Sequence, residues 1–588
     1  MGYDYWLVHL TWTIPPAVLF TVAYWPFFTR IEIWKISILI NVAIIATIPW
    51  DSFLIRNRIW TYPADAVVGI TFFDIPIEEL FFFVIQTYCT SLLYVILTKH
   101  LVLPAYLLDH AHQFSKNVGS ATIIGGIAFG ALCILTENKL TYMGLILTWA
   151  LSVILFQWSL CGSFLLALPR KQILVPILIP TFYLWLVDLL SLQRGTWVIE
   201  HGTKLDIQFW GFLDIEEATF FFLSNVMVVL GMVTMDHAVA LAQYDIVTSE
   251  LPGRSLPSLG QIAWSYMAQK RKPLDVGFLD GLRAAVTELS RKSQSMYLGS
   301  AMFQDGLRVD LIFLYSFCRV IDDLVDEAPS REKAQESIKE ASQVLHWRFS
   351  TKSPKKPLYD YLKDKKGPVS SPLLDSIALL PASRLSLAPL LELLSGFEID
   401  LLFSPEDREF PIETEADLEV YAQRVAGTVA AGLLELVFSH SEIKYSAAQQ
   451  EKIINAGQKM GQALQYVNIA RDIKRDAAIK RVYIPSSWLK TKGLTPTDVI
   501  ERPEDPALAT CESQMLAKAD SAHRSSVEAI DQLPKDVRGP IKTTVESYMM
   551  IGQMVRKARQ DSIKIEGKLK VPLWRRLTLA WREMYVNH

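Results

Sequence analysis

The chain has 588 residues, 51% of them hydrophobic, and a formal net charge of −3. This length predicts at least two domains, and the near-neutral charge gives no basis for binding nucleic acid. The five cysteines are scattered without CxxC or Cys/His spacing, which argues against a zinc site or a disulfide framework.

The chain changes character near residue 240, after which charged residues become frequent. A membrane-crossing helix needs about 20 mostly apolar residues. Such stretches lie at 7–28, 32–50, 76–98, 119–136, 140–168, 172–192 and 216–236. We therefore expect residues 1–240 to form an all-α domain of seven membrane spans. Lys and Arg in the short loops divide five against six between the two sides, which is too even to orient the domain by the positive-inside rule.

This membrane domain contains an internal repeat. Its matching pairs are Asp51 with Asp188, Trp60 with Trp197, Glu78 with Glu216 and Glu79 with Glu217. Four predicted spans separate equivalent points, so both copies should run in the same direction across the membrane, as a parallel repeat. We expect two repeats, at about 1–100 and 140–240, joined by one extra helix, with both acidic clusters facing one side.

The recurring acids lie where lipid is expected. An ionisable group inside a bilayer is costly and is by default a candidate functional group. The alternative is a helix start, with Asp74 as a cap, Pro76 in the first turn and acids that favour the helix N-terminus. Recurrence favours a function. The candidate catalytic residues of this domain are Asp51, Glu78, Glu79, Asp188, Glu216 and Glu217.

An apolar pocket favours the protonated form of a carboxyl group, which can then act as a general acid. Such an acid could protonate a terminal isoprene double bond, and ring closure followed by proton loss would give a cyclohexene end group without net redox change. Trp60, Trp197 and the nearby phenylalanines could stabilise the cation. Packing within the spans or anchoring at the membrane interface is the simpler role for each aromatic.

The Pro76-x-Glu78-Glu79 element and its second copy resemble the heterodimer-type carotenoid cyclases, with their two small subunits fused in tandem. The second copy, at Glu216-Glu217, lacks the proline. The resemblance implies that the domain cyclises lycopene ends to β-rings.

The rest of the chain is predicted to form a linker and a helical domain. Residues 241–275 are the expected linker, because they contain Pro252, Gly253, Pro257 and a basic run at 270–272. Long helical patterns fill 276–588, without an alternating strand pattern. A stretch rich in Pro, Lys and Gly at 351–372 predicts an exposed insertion. The aromatic and basic stretch 574–582 fits either a helix on a membrane surface or a solvated final helix.

Two aspartate pairs stand out in 276–588. Asp322 and Asp326 lie four residues apart, and Asp472 and Asp476 repeat this spacing, with Asn468 one turn earlier. Residues four apart share one face of a helix, and like charges there destabilise it unless something compensates. Carboxylate and amide oxygens are the ligands that Mg²⁺ takes beside substrate phosphates. The candidate metal ligands are Asp322, Asp323, Asp326, Asn468, Asp472 and Asp476.

Two such faces, opposed across a bundle, could hold Mg²⁺, or Mn²⁺ in its place, against a diphosphate and promote its departure. The aspartates at 322, 326, 472 and 476 are therefore also candidate catalytic residues, and Arg319, Arg471 and Arg481 could add positive charge. A solvated acidic face is the usual explanation of one such motif. The second copy, with its own arginine, favours a metal site.

Residues 280–585 resemble the squalene/phytoene synthases. The matching elements are Asp322-Asp323-x-x-Asp326-Glu327 after Cys318-Arg319, Tyr421-x-x-x-Val425-Ala426-Gly427, Gly461-x-x-x-Gln465-x-x-Asn468-Ile469-x-Arg471-Asp472-x-x-x-Asp476 and Arg481-x-Tyr483-Ile484-Pro485. The family's early Ser-x-Ser-Phe element appears as Ser293-Gln294-Ser295-Met296, without its aromatic. The resemblance implies an all-α isoprenoid-synthase bundle that joins two prenyl diphosphates head to head through a cyclopropyl diphosphate. The substrate-binding residues that it implies are Ser293, Tyr315, Arg319, Tyr421, Gln465, Arg471, Arg481 and Tyr483.

The order of the two domains resembles the fungal bifunctional lycopene cyclase/phytoene synthases along nearly the whole chain. This implies condensation of two geranylgeranyl diphosphates to phytoene without NADPH, and cyclisation of lycopene within a lipid bilayer. A carotene desaturase acting between these steps is the expected partner, and the water-soluble diphosphate suggests a cytosolic C-terminal domain. A squalene synthase with an inert seven-helix anchor, and a receptor or transporter carrying an enzyme, are the alternatives. The need for a reduced flavin is open.

Overall fold

The computed structural model describes residues 2–107, 112–136, 138–248, 258–268, 274–350, 371–561, 569 and 571–587. The fold is 77% helical, which confirms the all-α prediction, and strands of only two residues each occur in these ranges. The chain divides into two compact units. The N-terminal unit comprises Met1–Tyr244 and Ser258–Val276, and the C-terminal unit comprises Asp245–Pro257 and Gly277–His588.

Seven helical runs of the N-terminal unit are long and apolar enough to cross a membrane, as the hydropathy pattern predicts. The first run, Asp4–Phe27, consists of α1 (Asp4–Val8), a π-helical segment (His9–Thr13), α2 (Ile14–Tyr24) and a 3₁₀ turn (Trp25–Phe27). The other six are α3 (Arg30–Arg56), α4 (Ile77–Thr98), α5 (Gln113–Leu135), α6 (Thr141–Ala167), α7 (Arg170–Arg194) and α8 (Ile215–Thr248). Six of the seven runs end within a few residues of the predicted spans, whereas α8 extends well beyond residue 236.

The repeat is visible as matched local structure. A short β-hairpin precedes α4, formed by β2 (Thr71–Phe72) and β3 (Ile75–Pro76), and another precedes α8, formed by β5 (Gln208–Phe209) and β6 (Leu213–Asp214). The segments that follow α3 and α7 pair directly, because β1 (Trp60–Thr61) runs antiparallel to β4 (Val198–Ile199). This pairing brings equivalent parts of both repeats to the same end of the unit, as a parallel repeat requires.

Part of the predicted linker is helical. Helix α8 continues through residue 248, and α9 (Leu259–Ala268) packs Ile262 against Val239 and Ala242 of α8. The residues on which the linker prediction rested, Pro252, Gly253, Pro257 and 270–272, lie outside the described residues. The predicted insertion at 351–372 lies almost wholly outside them as well.

The C-terminal unit is a helical bundle around one continuous apolar core. Its helices are α10 (Val276–Lys292), α11 (Gln294–Ser300), α12 (Asp305–Asp326), α13 (Arg331–Ser350), α14 (Ser371–Ala378), α15 (Leu387–Asp400), α16 (Glu415–Ala422), α17 (Thr428–His440), α18 (Ala447–Ala478), α19 (Ser486–Lys490), α20 (Pro496–Glu501), α21 (Leu508–Ser526), α22 (Lys535–Gln560) and α23 (Leu573–Val586). Leu, Ile, Val and Phe side chains of α12, α13, α15, α17, α18 and α21 fill the core.

Helix α18 forms the centre of this bundle and packs against α17, α21 and α22. It begins at a capping box, in which Ser446 and Gln449 bond each other's backbone N–H groups. A π-helical segment, Gln423–Gly427, approaches it so closely that a Cβ on Gly461 would lie 2.5 Å from the carbonyl oxygen of Ala426. Only a glycine at 461 permits this contact, which joins two of the motifs that the sequence singles out.

Candidate active sites

The six candidate acids of the N-terminal unit are all buried. Relative exposures run from 0% for Asp51 to 4% for Glu79. Both glutamate pairs lie in the first turns of α4 and α8, which start at the hairpins. The local alternative in which Asp74 caps α4 is wrong. The N-cap is Pro76 without a side-chain cap, and Asp74 lies in the hairpin turn with φ of 70° and an exposed ion pair to Arg56.

The two glutamates of each pair have different surroundings. Glu78 accepts the backbone N–H of Val68 at 2.8 Å, and Glu216 accepts that of Leu205 at 2.7 Å. These first glutamates therefore hold the loop that precedes their own helix. Each also has a second oxygen, Oε2, that is buried without a partner among the described residues.

The second glutamates, by contrast, accept hydrogen bonds from tyrosines. Tyr5 donates to Glu79 Oε2 at 2.5 Å and Tyr62 donates to the same oxygen at 2.8 Å. Tyr142 donates to Glu217 Oε1 at 2.6 Å. Sequence reasoning missed these tyrosines, although one signal was available. Tyr5 and Tyr142 are 137 positions apart, the same offset as Asp51 and Asp188.

The two acidic clusters merge into one. Asp51 interacts electrostatically with Glu79 and Glu217, which belong to different repeats, and Asp188 interacts with the same two glutamates. Asp188 accepts the indole N–H of Trp197 at 2.9 Å, whereas no donor in the described ranges reaches either oxygen of Asp51. The sequence predicts two clusters on one side, and packing brings them together.

Aromatic side chains surround this merged cluster. Trp60 of the first repeat donates to the hydroxyl of Tyr142 in the second at 2.7 Å. The ring of Trp197 lies 4.9 Å from that of Tyr5. Each of the two tryptophans thus contacts a tyrosine of the other repeat. The same buried core contains Phe82, Phe83, Phe220 and Phe221.

In the C-terminal unit, the first aspartate motif lies at the end of α12. Arg319 donates to Asp322 at 2.8 Å and also bonds Asp323, and Lys292 of α10 lies 3.2 Å from Asp323. Burial and the neighbouring Asp326 raise the pKa of Asp322 to about 6. Lys292 was not predicted from the sequence.

The second motif lies near the end of α18. Arg471 forms a bidentate pair with Asp472, at 2.7 and 2.5 Å. Burial and the neighbouring Asp472 raise the pKa of Asp476 to about 7. Asn468 contacts Gln465 at 3.5 Å through its amide nitrogen, and its Oδ1 is buried without a partner in the described part of the chain.

The two motifs meet through residues that follow α18. Arg481 donates to Asp326 at 2.8 Å and interacts electrostatically with Asp476 and with Asp400 of α15. Sequence reasoning missed Asp400, which no repeat marks. Its carboxyl accepts the hydroxyl of Tyr483 at 2.8 Å and that of Tyr421 at 3.4 Å, and the two rings stack with centroids 4.9 Å apart.

The remaining predicted substrate residues lie close to these motifs. The hydroxyl of Tyr315, one turn before Arg319, interacts with Ser293. Burial raises the pKa of the Tyr548 phenol, which interacts electrostatically with both Arg471 and Asp472. Tyr548 is a further residue that the sequence analysis missed, because α22 carries no motif.

The side chains of the two motifs carry the oxygen donors that a site for a hard metal ion needs. In the described ranges, no three His, Cys, Asp or Glu side chains lie close enough to hold one ion. The chemistry of the donors nevertheless fits a hard divalent cation. Asn468 Oδ1 has no partner among the residues that the structure describes. Within each motif, burial and the neighbouring aspartate raise the pKa of Asp322 or Asp476 despite the arginines nearby, and a bound cation would add the further positive charge that these carboxylates need. The ligand assignment stays a prediction.

Comparison with known proteins finds a family that matches the C-terminal unit and relatives that match nearly the whole chain. The Squalene/phytoene synthase family matches residues 289–575. A bifunctional lycopene cyclase/phytoene synthase of Arthroderma gypseum is 49% identical over 597 residues, which cover 99% of this chain and 100% of that protein. One of Aspergillus oryzae is 44% identical and covers 99% of each chain. A solved dehydrosqualene synthase aligns at 21% identity with a TM-score of 0.41, over 53% of this chain and 97% of that chain. Identity of this level along the full length means that the chain belongs to the family of bifunctional lycopene cyclase/phytoene synthases.

Proposed function

We propose that the chain is a bifunctional enzyme of carotenoid biosynthesis. The C-terminal unit condenses two geranylgeranyl diphosphates head to head to phytoene, through a cyclopropyl diphosphate. The N-terminal unit cyclises the ends of lycopene to β-rings. The full-length identity to proteins with both activities in their names carries this proposal.

Enzymes of this family act on prenyl diphosphates and generally use a divalent metal ion. We assign Mg²⁺, with Mn²⁺ as a substitute, to the oxygens of six side chains: Asp322, Asp323, Asp326, Asn468, Asp472 and Asp476. The ion would neutralise the diphosphate and make it a better leaving group. The Oδ1 atom of Asn468, which is buried and has no partner among the described residues, supports this assignment.

The arginines near the two aspartate motifs contribute positive charge to this step. Arg481 lies between the two motifs, where its planar guanidinium can bind two diphosphate oxygens. Arg319 and Arg471 neutralise carboxylates of their own motifs. Tyr421 and Tyr483 orient Asp400 toward Arg481, which fixes the position of the guanidinium.

In the N-terminal unit, a buried carboxyl protonates the terminal double bond of lycopene, and a second carboxylate accepts the proton that the ring loses. The aromatic residues around the merged cluster exclude water from the cation and stabilise it. The reaction is an isomerisation, so hydrogen, carbon and electrons balance without a redox cofactor.

Seven apolar runs indicate association with a membrane. We place the C-terminal unit on the cytosolic side, because its diphosphate substrate is water-soluble. Phytoene has to be desaturated before its ends can be cyclised, so we propose a membrane-associated carotene desaturase as a partner.

The test uses the purified full-length chain in lipid vesicles. With Mg²⁺ and geranylgeranyl diphosphate we expect phytoene, whether or not NADPH is present, and with lycopene we expect β-rings. Squalene formed from farnesyl diphosphate only with NADPH, together with unchanged lycopene, would instead establish a squalene synthase with an inert anchor.

A further inference from the structure

The tyrosine contacts of the merged acid cluster follow the internal repeat. Tyr5, at the start of α1, bonds Glu79 at the start of α4, and Tyr142, at the start of α6, bonds Glu217 at the start of α8. Both tyrosines have relative exposures of 2% or less. The same buried contact thus occurs once in each repeat and involves four different helices. Such a recurrence is not expected of a chance pairing of side chains.

The two contacts differ in one respect. Glu79 has a second donor, Tyr62, and burial and the Glu79 carboxyl raise the pKa of the Tyr62 phenol well above its ordinary value, so that the hydroxyl keeps its proton. The position 137 residues later is Ile199, which has no hydroxyl. Among the described residues, two phenols therefore donate to Glu79 and one donates to Glu217.

Asp51, unlike Glu79 and Glu217, accepts no hydrogen bond from a described residue. It is fully buried, it interacts electrostatically with Glu79 and Glu217, and neither of its oxygens has a donor among the described residues. Hydrogen bonds from neutral donors stabilise a carboxylate anion, and a buried anion without donors is strongly disfavoured. In a cluster that shares a limited number of protons, the side chain without donors keeps the proton.

We infer that Tyr5 and Tyr142 are positioning residues that hold Glu79 and Glu217 as carboxylates, which makes Asp51 the acid that protonates the lycopene end. This inference rests on the proposed cyclase activity and assigns the roles within its site. Asp188, with an indole donor on one oxygen, is the less suited of the two aspartates.

The proton balance follows from these roles. The O–H bond of Asp51 breaks as a C–H bond forms at the terminal double bond, which leaves a carbocation. The neighbouring double bond attacks it and closes the ring, and a ring C–H bond then breaks and its proton passes to Glu79 or Glu217. A proton transfer from that glutamate to Asp51 restores the starting state, with no electrons gained or lost.

The first experiment measures ring formation from lycopene by the full-length chain in vesicles, with phytoene synthesis by the same preparation as the reference. For Tyr142→Phe we expect kcat of cyclisation to fall about ten- to hundredfold, because a hydrogen bond to a charged group is lost. KM for lycopene should stay within about twofold, since the tyrosine acts on a carboxylate and not on the substrate. Tyr5→Phe should cost less, because Tyr62 still serves Glu79.

Tyr94→Phe is the matched control. Tyr94 is equally buried and donates to Asp236 at 2.7 Å, outside the acid cluster. Its kcat for cyclisation should equal that of the wild type. Equal losses in Tyr94→Phe and Tyr142→Phe, or a raised KM with unchanged kcat in Tyr142→Phe, would overturn the positioning role. A wild-type chain that forms no ring from lycopene would overturn the cyclase assignment itself.

The second experiment tests the acid. Asp51→Asn should lower cyclisation about 10²- to 10⁴-fold, the usual contribution of a general acid, and Asp51→Glu should restore part of it. Recovery in the glutamate variant separates loss of the acid from misfolding, and the yield in the membrane fraction checks the fold independently. If Asp51→Asn keeps wild-type turnover while Asp188→Asn loses it, the acid is Asp188 and the assignment to Asp51 is wrong.

Discussion

Arg481 donates a hydrogen bond to Asp326 at 2.8 Å, although the two residues are 155 positions apart. The contact links the loop after α18 to the last turn of α12, so that one guanidinium lies between both aspartate motifs. The pair is partly open to solvent, with side-chain exposures of 15% and 38%, and such pairs contribute about 0–1 kcal/mol to stability.

Arg481→Ala should therefore affect activity far more than stability. We expect kcat/KM for phytoene synthesis to fall about ten- to hundredfold, since a bidentate contact to diphosphate is lost, while the thermal midpoint changes little. Steady-state kinetics and thermal melting of the purified chain measure both. The control is Arg502→Ala, which removes an exposed pair with Asp498. Similar losses of activity in the two variants would contradict a role for Arg481 at the diphosphate.

The two activities should be separable by single substitutions. Asp322→Asn and Asp472→Asn should abolish phytoene formation and leave cyclisation of added lycopene intact, because each motif serves only the C-terminal unit. Glu78→Gln and Glu217→Gln should do the converse. Product analysis in vesicles supplied with each substrate in turn measures both reactions, and complete loss of phytoene in a glutamate variant would contradict independent sites.

Asp400 should be needed for condensation although no sequence motif includes it. Asp400→Asn leaves only one acceptor oxygen for the two tyrosine hydroxyls and removes a charge near Arg481. We expect a loss of activity and a destabilisation of about 1–3 kcal/mol, the usual effect of breaking a buried hydrogen-bond network. Activity assays and chemical unfolding measure the two effects.

Two tyrosine variants test which of the two hydrogen bonds orients Asp400. Tyr483→Phe, which removes the 2.8 Å bond, should cost more than Tyr421→Phe, which removes the 3.4 Å bond. The reverse order would show that the shorter bond does not orient Asp400.

The stability of the cation-free protein should fall as the pH rises from about 4 to about 7. In the folded state the pKa of Asp476 is about 7 and those of Asp322 and Asp400 are about 6, above the ordinary aspartate value of 3.8. The folded chain thus binds more protons than the unfolded chain in this window, so deprotonation favours unfolding.

Mg²⁺ should reverse this loss, because it stabilises the ionised carboxylates. Thermal melting between pH 5 and pH 8, with Mg²⁺ or with a chelator, should give a difference that grows with pH. An equal effect of Mg²⁺ at every pH would indicate that the ion does not bind these aspartates.

Gly461→Ala should destabilise the C-terminal unit by about 1–3 kcal/mol, the usual cost of overpacking, since its Cβ would meet the backbone at Ala426. Gly299→Ala is the control, because a Cβ there meets nothing within 4 Å. The temperature at which phytoene synthesis is lost measures both variants, and equal temperatures would contradict the close approach of α18 to the π-helical segment.

Local patterns in the sequence were sufficient for the element types and for the motifs. The seven apolar runs, the aspartates four residues apart and the recurring glutamate pairs are each recognisable within one stretch of chain, because hydropathy and helical period act over neighbouring residues. The seven long apolar helical runs and the helical C-terminal unit are confirmed for this reason.

Tertiary packing alone decided which side chains meet. Tyr5 and Glu79 are 74 residues apart, and Tyr483 and Asp400 are 83 apart, so no local period links them. Packing also merged the two acidic clusters and brought Arg481 to Asp326, 155 positions away. The physical reason is that a buried hydrogen bond depends on the positions of two helix ends in space, and those positions result from packing the whole apolar core.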